Sequence, residues 1–241
     1  KLMLNLCDKL TVGHLKVKGI KKKYNDKIFY TGNPIRPEIY KYKKDYKTHN
    51  QDGFLNLLIF GGSQGASFFS DIVPDSINKL DSKKKSLLRI FHQVRNNEFK
   101  KVKKYYDCMN VKSEVKTFFY NLPELLNNSH LLISRSGAST VAEVTATKIP
   151  AIFIPFHHSI DDDQRLNTIE LEKIGQVIVK KEKNLDSNQL YKVIDELIEK
   201  PEILEKMAKA NKEIVVNNSS EKIRSIIDDL LSNRELWFEN N

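Results

Sequence analysis

The chain has 241 residues, 40% of them hydrophobic, with a formal net charge of +9 and two cysteines. That length and apolar content suffice for one good core, or for one domain plus part of another, and exclude a disordered chain. No run approaches the roughly 18 apolar residues of a membrane span, and the first residues lack the charge, apolar block and small-residue site of a signal peptide, so neither a transmembrane nor a secreted protein is expected. Cys7 and Cys108 lie far apart without CxxC spacing or a nearby His cluster, which implies neither a disulfide framework nor a zinc site and fits a reducing cytoplasm. The positive charge is mostly lysine in scattered runs (Lys21 to Lys23, Lys83 to Lys85, Lys100 to Lys104). Such runs read as solvated faces of a lysine-biased composition, with attraction to an anionic membrane surface as the alternative.

In chain order, the first 37 residues do not make a domain. Leu10 to Val12 and Ile28 to Tyr30 can be strands, after which Gly32, Pro34 and Pro37 break the chain and fix an extended connection. Beyond Phe54 short apolar runs alternate with helical stretches, as in a doubly wound α/β domain. Strands are expected at 55–60, 87–92, 111–118, 130–134, 150–155 and 176–179. Helices are expected at 66–80, 96–107, 122–128, 139–147, 163–174, 187–199, 202–216 and 220–232. Asp186 and Ser187 cap the helix at 187–199, and Pro201 separates it from the next. No internal repeat or low-complexity block is present.

Two small-residue turns carry the chemistry. Strand Leu55 to Phe60 runs into Gly61-Gly62-Ser63-Gln64-Gly65-Ala66, and strand Leu131 to Ser134 leads to Ser136-Gly137-Ala138-Ser139. At each, small residues let backbone approach an anion, and the following helix offers free N–H groups and the positive end of its dipole, which suits a diphosphate. Glu143, one turn into the second helix, can reach ribose hydroxyls; alternatively it only favours a helix N-terminus through the dipole. Ser63 can bind a phosphate oxygen or simply shape its turn, and Ser139 and Thr140 can be phosphate contacts or plain caps. Asp161-Asp162-Asp163 invites a metal-binding DxD reading, but acids before a helix are common caps, and no metal is expected. His157 and His158 lack a clear partner and read as structural.

The strings TGNPIRPEI (31–39), GGSQGA (61–66), HQ (92–93), SRSGASTVAE (134–143) and DQRLN (163–167) have the order and spacing of the MurG family. These bacterial N-acetylglucosaminyltransferases convert lipid I to lipid II in peptidoglycan synthesis. The resemblance covers the chain from about Asp8 onward, while the family's GGTGGH-type loop occurs nowhere in these residues. It implies a GT-B α/β fold, with one doubly wound Rossmann-like donor-binding domain (38–216) and a remnant of the N-terminal domain. Residues 1–37 would be the tail of the N-terminal acceptor domain with the interdomain linker, and 217–241 a helix returning to that domain, its Trp237 and Phe238 needing cover.

By the same resemblance, the UDP-GlcNAc contacts would be Arg36, Ser63, Phe119, Ala138, Ser139, Thr140, Glu143 and Gln164. Ser63 would serve the α-phosphate, Phe119 the uracil through its backbone unless its side chain is only core, Glu143 the ribose and Gln164 the sugar hydroxyls. Arg36 would be a phosphate or interdomain contact, with a solvated linker charge as the plain alternative. Two positions depart from the family: Asp163 stands where His or Gln is usual, and Arg95 follows the HQ pair where Gly is usual. The resemblance implies no cofactor, leaves the catalytic residue unassigned, and makes lipid I and an anionic membrane surface the partners of a peripheral protein on the cytoplasmic face of the inner membrane. The rival readings are another GT-B transferase or a UDP-GlcNAc epimerase, and a noncatalytic nucleotide-sugar-binding subunit. Nucleic acid is not an expected partner, since no aromatic-basic stacking motif accompanies the lysines.

Overall fold

In the computed structural model the described residues are 3–13, 20–41, 46–47, 52–156, 162–210 and 218–239, without the side chains of 3, 62–66 and 233–239. The chain forms two compact units, Lys1–Ile35 with Val215–Asn241, and Arg36–Ile214. In the first unit, β1 (Leu10–Val12) and β2 (Ile28–Tyr30) pair in parallel, Leu10 opposite Ile28. Gly32 follows with φ of 78°, a left-handed conformation that glycine adopts without a Cβ penalty, and a Cβ there would also meet the Ser219 hydroxyl at 2.8 Å.

The second unit begins with a short helix, α1 (Glu38–Lys41), absent from the sequence expectation because one helical turn after Pro37 shows no periodicity. It continues through β3 (Leu55–Phe60), α2 (Gly62–Asn78), α3 (Ser82–Ser86), β4 (Leu88–Gln93), α4 (Phe99–Cys108), β5 (Lys112–Lys116), α5 (Leu122–Asn128), β6 (Leu131–Ser134) and α6 (Ala138–Thr147). After these come β7 (Ala151–Phe153), α7 (Asp163–Lys173), β8 (Val177–Val179), α8 (Ser187–Glu199) and α9 (Pro201–Lys209). The last element, α10 (Ser219–Glu239), belongs to the first unit and extends past the expected end at 232. The aromatic side chains at its end, Trp237 and Phe238, lie outside the described part, as do residues 211–217 at the expected end of the 202–216 helix.

Two helix starts and one additional helix differ from expectation for physical reasons. The helix expected from residue 66 starts at Gly62, so most of GGSQGA is the first helical turn and only Gly61 precedes it. The helix expected from residue 96 opens as a 3-10 turn at Asn96–Glu98 before α4. The lysine run at 83–85, which shows no apolar periodicity, is helical because Asp81 caps it, accepting from the Lys84 amide at 2.8 Å.

The six strands β3 to β8 form one wholly parallel sheet in the order β5-β4-β3-β6-β7-β8. A parallel sheet is covered on both faces, which explains why β3 is an unbroken apolar run apart from Asn56 and is buried at all six positions. Leu55, Leu57 and Ile59 share one core with Phe69, Val73 and Ile77 of α2, Val102 and Tyr106 of α4, and Leu190, Ile194 and Leu197 of α8. On the other face α5, α6 and α7 pack in sequence. Buried Asn56 is accommodated by its amide donating to the Asn128 carbonyl at 2.8 Å, and its backbone N–H donates to Nδ1 of His130 at 2.7 Å. Asp186 caps α8 as expected, in a reciprocal capping box with Gln189, whereas Ser187 is the first helical residue and not a cap.

His92, on β4, is completely buried with Nδ1 3.0 Å from the Tyr106 hydroxyl, and burial holds its imidazole down to about 3. The unfolded chain, with the ordinary value of 6.5, takes up a proton that the folded one refuses. This contribution is therefore complete above pH 6.5 and is lost as pH falls toward 3. Urea unfolding should show about 2 kcal/mol lost to this residue between pH 7.5 and 5, and His92→Gln should flatten the profile over that window. Identical pH profiles for both proteins would contradict a neutral buried imidazole.

Candidate functional site

Strand order reverses between β3 and β6, the neighbours from which the chain winds in opposite directions. Ligands of open α/β sheets bind at the carboxyl ends of strands beside such a switch point. Phe60 at the end of β3 lies opposite Ser134 at the end of β6, so α2 and α6 both begin at this edge. Neither helix has a side-chain cap: the residue before α2 is Gly61, and the residue before α6 is Gly137. The first N–H groups of a helix have no partner within it, so two sets of donors and two positive dipole ends are left for an anion here. Ala138, Ser139 and Thr140 form the first turn of α6, with Ser139 exposed. Ser63 lies in the first turn of α2, and its side chain is outside the described part.

Glu143 projects from the second turn of α6 and is buried, its side chain only 6% exposed. Its carboxylate meets Arg36 in a two-pronged pair, Nε to Oε1 at 2.6 Å and Nη2 to Oε2 at 2.7 Å. Two residues expected as separate donor contacts are thus each other's partner. Each carboxylate oxygen has a second lone pair, so the pair can hold Glu143 in one orientation while it still accepts from a diol. The Arg36 side chain is 42% exposed, so the pair joins a partly solvated cation to a buried carboxylate.

Gln164 lies in the first turn of α7. Its Oε1 accepts from the Phe156 amide at 2.9 Å, and its carbonyl accepts from the Ser136 hydroxyl at 2.8 Å. Asn167 donates to the Ser136 carbonyl at 3.0 Å. Ser136 therefore ties SRSG to DQRLN, and the Gln164 acceptor is used internally, leaving its NH2 group as the donor that a sugar hydroxyl could meet. Asp163 turns its carboxylate back to the Gln164 amide at 2.7 Å. Asp161, His157 and His158 lie outside the described residues. Among the described residues no group of three or more His, Cys, Asp or Glu is placed to hold a metal ion.

The Phe119 side chain belongs to the core at 2% exposure, so any contact with a base from this position is through backbone. Phe118 and Tyr120 flank it, both exposed, their rings 4.8 Å apart edge to face. Arg135, the charged residue within the SRSG turn, is not among the site residues expected from sequence. It is buried beneath the turn and pairs with Glu182. The available signal was a lone cation among small residues at the end of an apolar strand.

A wholly parallel sheet with this order and helices on both faces is the doubly wound α/β architecture of one GT-B domain. Residues 56–230 match the glycosyltransferase family 28 C-terminal domain, and the chain belongs to that family. It is 34% identical over 210 residues to the UDP-N-acetylglucosamine-N-acetylmuramyl-(pentapeptide) pyrophosphoryl-undecaprenol N-acetylglucosamine transferase of Chelativorans sp. (strain BNC1), a match that covers 87% of this chain. It spans 56% of that relative. The crystal structure of Acinetobacter baumannii MurG superposes with a TM-score of 0.74 at 22% identity, covering 95% of this chain and 63% of that one. A putative UDP-N-acetylglucosamine 2-epimerase from Listeria monocytogenes superposes at 0.58 with 12% identity, covering 86% of this chain and 54% of that one, so the fold alone does not separate transferase from epimerase.

Two outcomes are expected from this geometry. Arg36→Ala should cost about 1–2 kcal/mol in urea unfolding, because it leaves the buried Glu143 carboxylate without its charged partner; no change would show that the pair does not hold the site. A diphosphate held by helix ends and backbone amides needs no metal, and the expected outcome of such a site is a UDP affinity, measured by calorimetry, that is the same in excess EDTA and after Asp161→Asn with Asp162→Asn. Loss on chelation, restored by magnesium or manganese, would favour a metal site in the acidic run.

Proposed function

We propose that this chain binds UDP-GlcNAc as the donor half of an inverting transferase that moves GlcNAc to the muramoyl sugar of undecaprenyl-diphosphate lipid I, making lipid II for peptidoglycan. The observation that carries the reading is the pair of uncapped helix N-termini at the β3/β6 switch point, with Arg36, Glu143 and Gln164 on the second of them and its flanks. The similarity to the N-acetylglucosamine transferase of Chelativorans sp. supports the choice of donor and acceptor. In the proposed arrangement the diphosphate meets the first turns of α2 and α6, Glu143 accepts from the ribose diol and the Gln164 NH2 group donates to a hydroxyl of the sugar.

In the reaction so proposed, the C4 hydroxyl of the muramoyl sugar attacks C1 of GlcNAc while the bond from C1 to the UDP oxygen breaks. Negative charge gathers on the departing diphosphate, where fixed N–H groups and dipoles require no reorganisation to stabilise it. The proton leaves the acceptor hydroxyl for a base that is not assigned among these residues. In this reading the protein is peripheral and acts at the cytoplasmic face of the inner membrane, where it meets its lipid-linked acceptor. No described helix is long and apolar enough to cross a membrane.

Glu143→Ala should weaken UDP-GlcNAc binding by one to two orders of magnitude, since hydrogen bonds to a charged group are worth roughly 1.5–3 kcal/mol. Gln164→Ala should weaken UDP-GlcNAc and leave UDP unchanged, because the amide reads the sugar. Calorimetry with both ligands tests the assignment: equal losses would remove Gln164 from the sugar pocket, and an unchanged affinity in Glu143→Ala would remove that residue from the site. For the reaction, transfer from labelled UDP-GlcNAc to a lipid I analogue is expected once a family N-terminal domain is supplied. Donor binding without transfer in that mixture would support a noncatalytic nucleotide-sugar-binding subunit instead.

A further inference from the structure

We infer that Arg135 is a positioning residue that fixes the three segments of the donor cradle relative to one another, an inference that rests on the donor-site reading. Arg135 belongs to the turn that carries Ser136 and Gly137, and its side chain is 7% exposed. Nη1 and Nη2 form a fork on the Glu182 carboxylate, each at 2.9 Å, and Nη1 also donates to the carbonyls of Ile154 at 3.0 Å and Pro155 at 3.3 Å. The guanidinium carbon lies 5.3 Å from the Phe68 ring centroid, 5.1 Å from Phe69 and 5.3 Å from Phe156.

Each contact reaches a different part of the cradle. Phe68 and Phe69 lie in the second turn of α2, one residue beyond GGSQGA. Ile154, Pro155 and Phe156 form the exit from β7, and the Phe156 amide is the group that orients Gln164. Glu182 comes from the 3-10 turn after β8. One planar cation thus touches the start of α2, carries the turn before α6, and holds the exit of β7.

Burying an ion pair is costly, and apolar residues of similar volume often serve stability equally well or better. Here Nε is also buried with no partner among the described residues, a further expense for a purely structural device. A planar fork with fixed donor directions nevertheless does what packing cannot, because it sets both distance and angle between the segments it joins. A displacement near 1 Å in a binding constellation can cost on the order of a hundredfold in function. The arrangement therefore places its value in geometry: it keeps two N–H clusters and the Gln164 amide at one spacing.

The test is calorimetry of UDP and UDP-GlcNAc with the 241-residue chain and with Arg135→Lys and Glu182→Gln, at a temperature where far-UV circular dichroism shows each protein folded. Lysine keeps the charge without the fork, and glutamine keeps the shape with a neutral partner. Arg135→Lys should weaken both ligands at least tenfold and Glu182→Gln about three- to tenfold, with faster amide exchange at Ser136, Gly137 and Phe156. A lower melting temperature with both affinities within twofold of the parent would overturn the inference while leaving the donor site standing. Should Arg135→Lys fail to fold, Glu182→Gln decides by the same criterion. If the parent chain binds neither ligand, the donor-site reading fails and the inference fails with it.

Discussion

Parallel pairing of β3 with β6, with Phe60 opposite Ser134, constrains every other feature of the candidate site. These strands are neighbours in space but are separated in sequence by two further strands, and that crossover lets α2 and α6 cover opposite faces of the sheet while starting at the same edge. Slip the register by one residue and the alternating side chains of β6 would exchange faces, carrying Arg135 and Glu143 away from their partners.

The candidate site on this edge offers backbone donors and helix ends more than unpaired side-chain charge. Gly61 and Gly137 precede their helices without offering a side chain to cap them, so the N–H groups stay available. Charged groups nearby are instead committed to each other: Arg36 to Glu143, and Arg135 to Glu182. Some of the lysines in the basic runs are similarly engaged, with Lys84 paired to Asp195 and Glu199, Lys101 to Asp71 and Lys103 to Asp107. These pairs are largely exposed and contribute little to stability, but they show that a run of lysines in sequence is not the same as a bare positive surface.

The doubly wound class was legible because the strands are short apolar runs bounded by turn residues and the helices between them carry clear periodicity. All six strands of the sheet lie within a few residues of where that pattern puts them. What escaped were features set by local capping and by distance in sequence. Asp81 makes a helix of Ser82–Ser86, where no apolar repeat exists to reveal one. The helix after β3 begins at Gly62, since glycine in a first helical turn looks the same in sequence as glycine in a loop. The Arg36 pair with Glu143 spans 107 residues, and nothing in one sequence distinguishes two separate ligand contacts from two partners. Arg135 was hidden by its neighbours: within a small-residue turn a single arginine reads as surface until its burial is seen.

The central claim is that two helix N-termini at one switch point form the anion cradle. A crystal structure of the chain with UDP-GlcNAc tests it most directly. The account predicts both phosphates within about 2.7–3.2 Å of backbone N–H groups in the first turns of α2 and α6. A diphosphate bound elsewhere on the chain, or bridged by a cation to the acidic residues before α7, would contradict it.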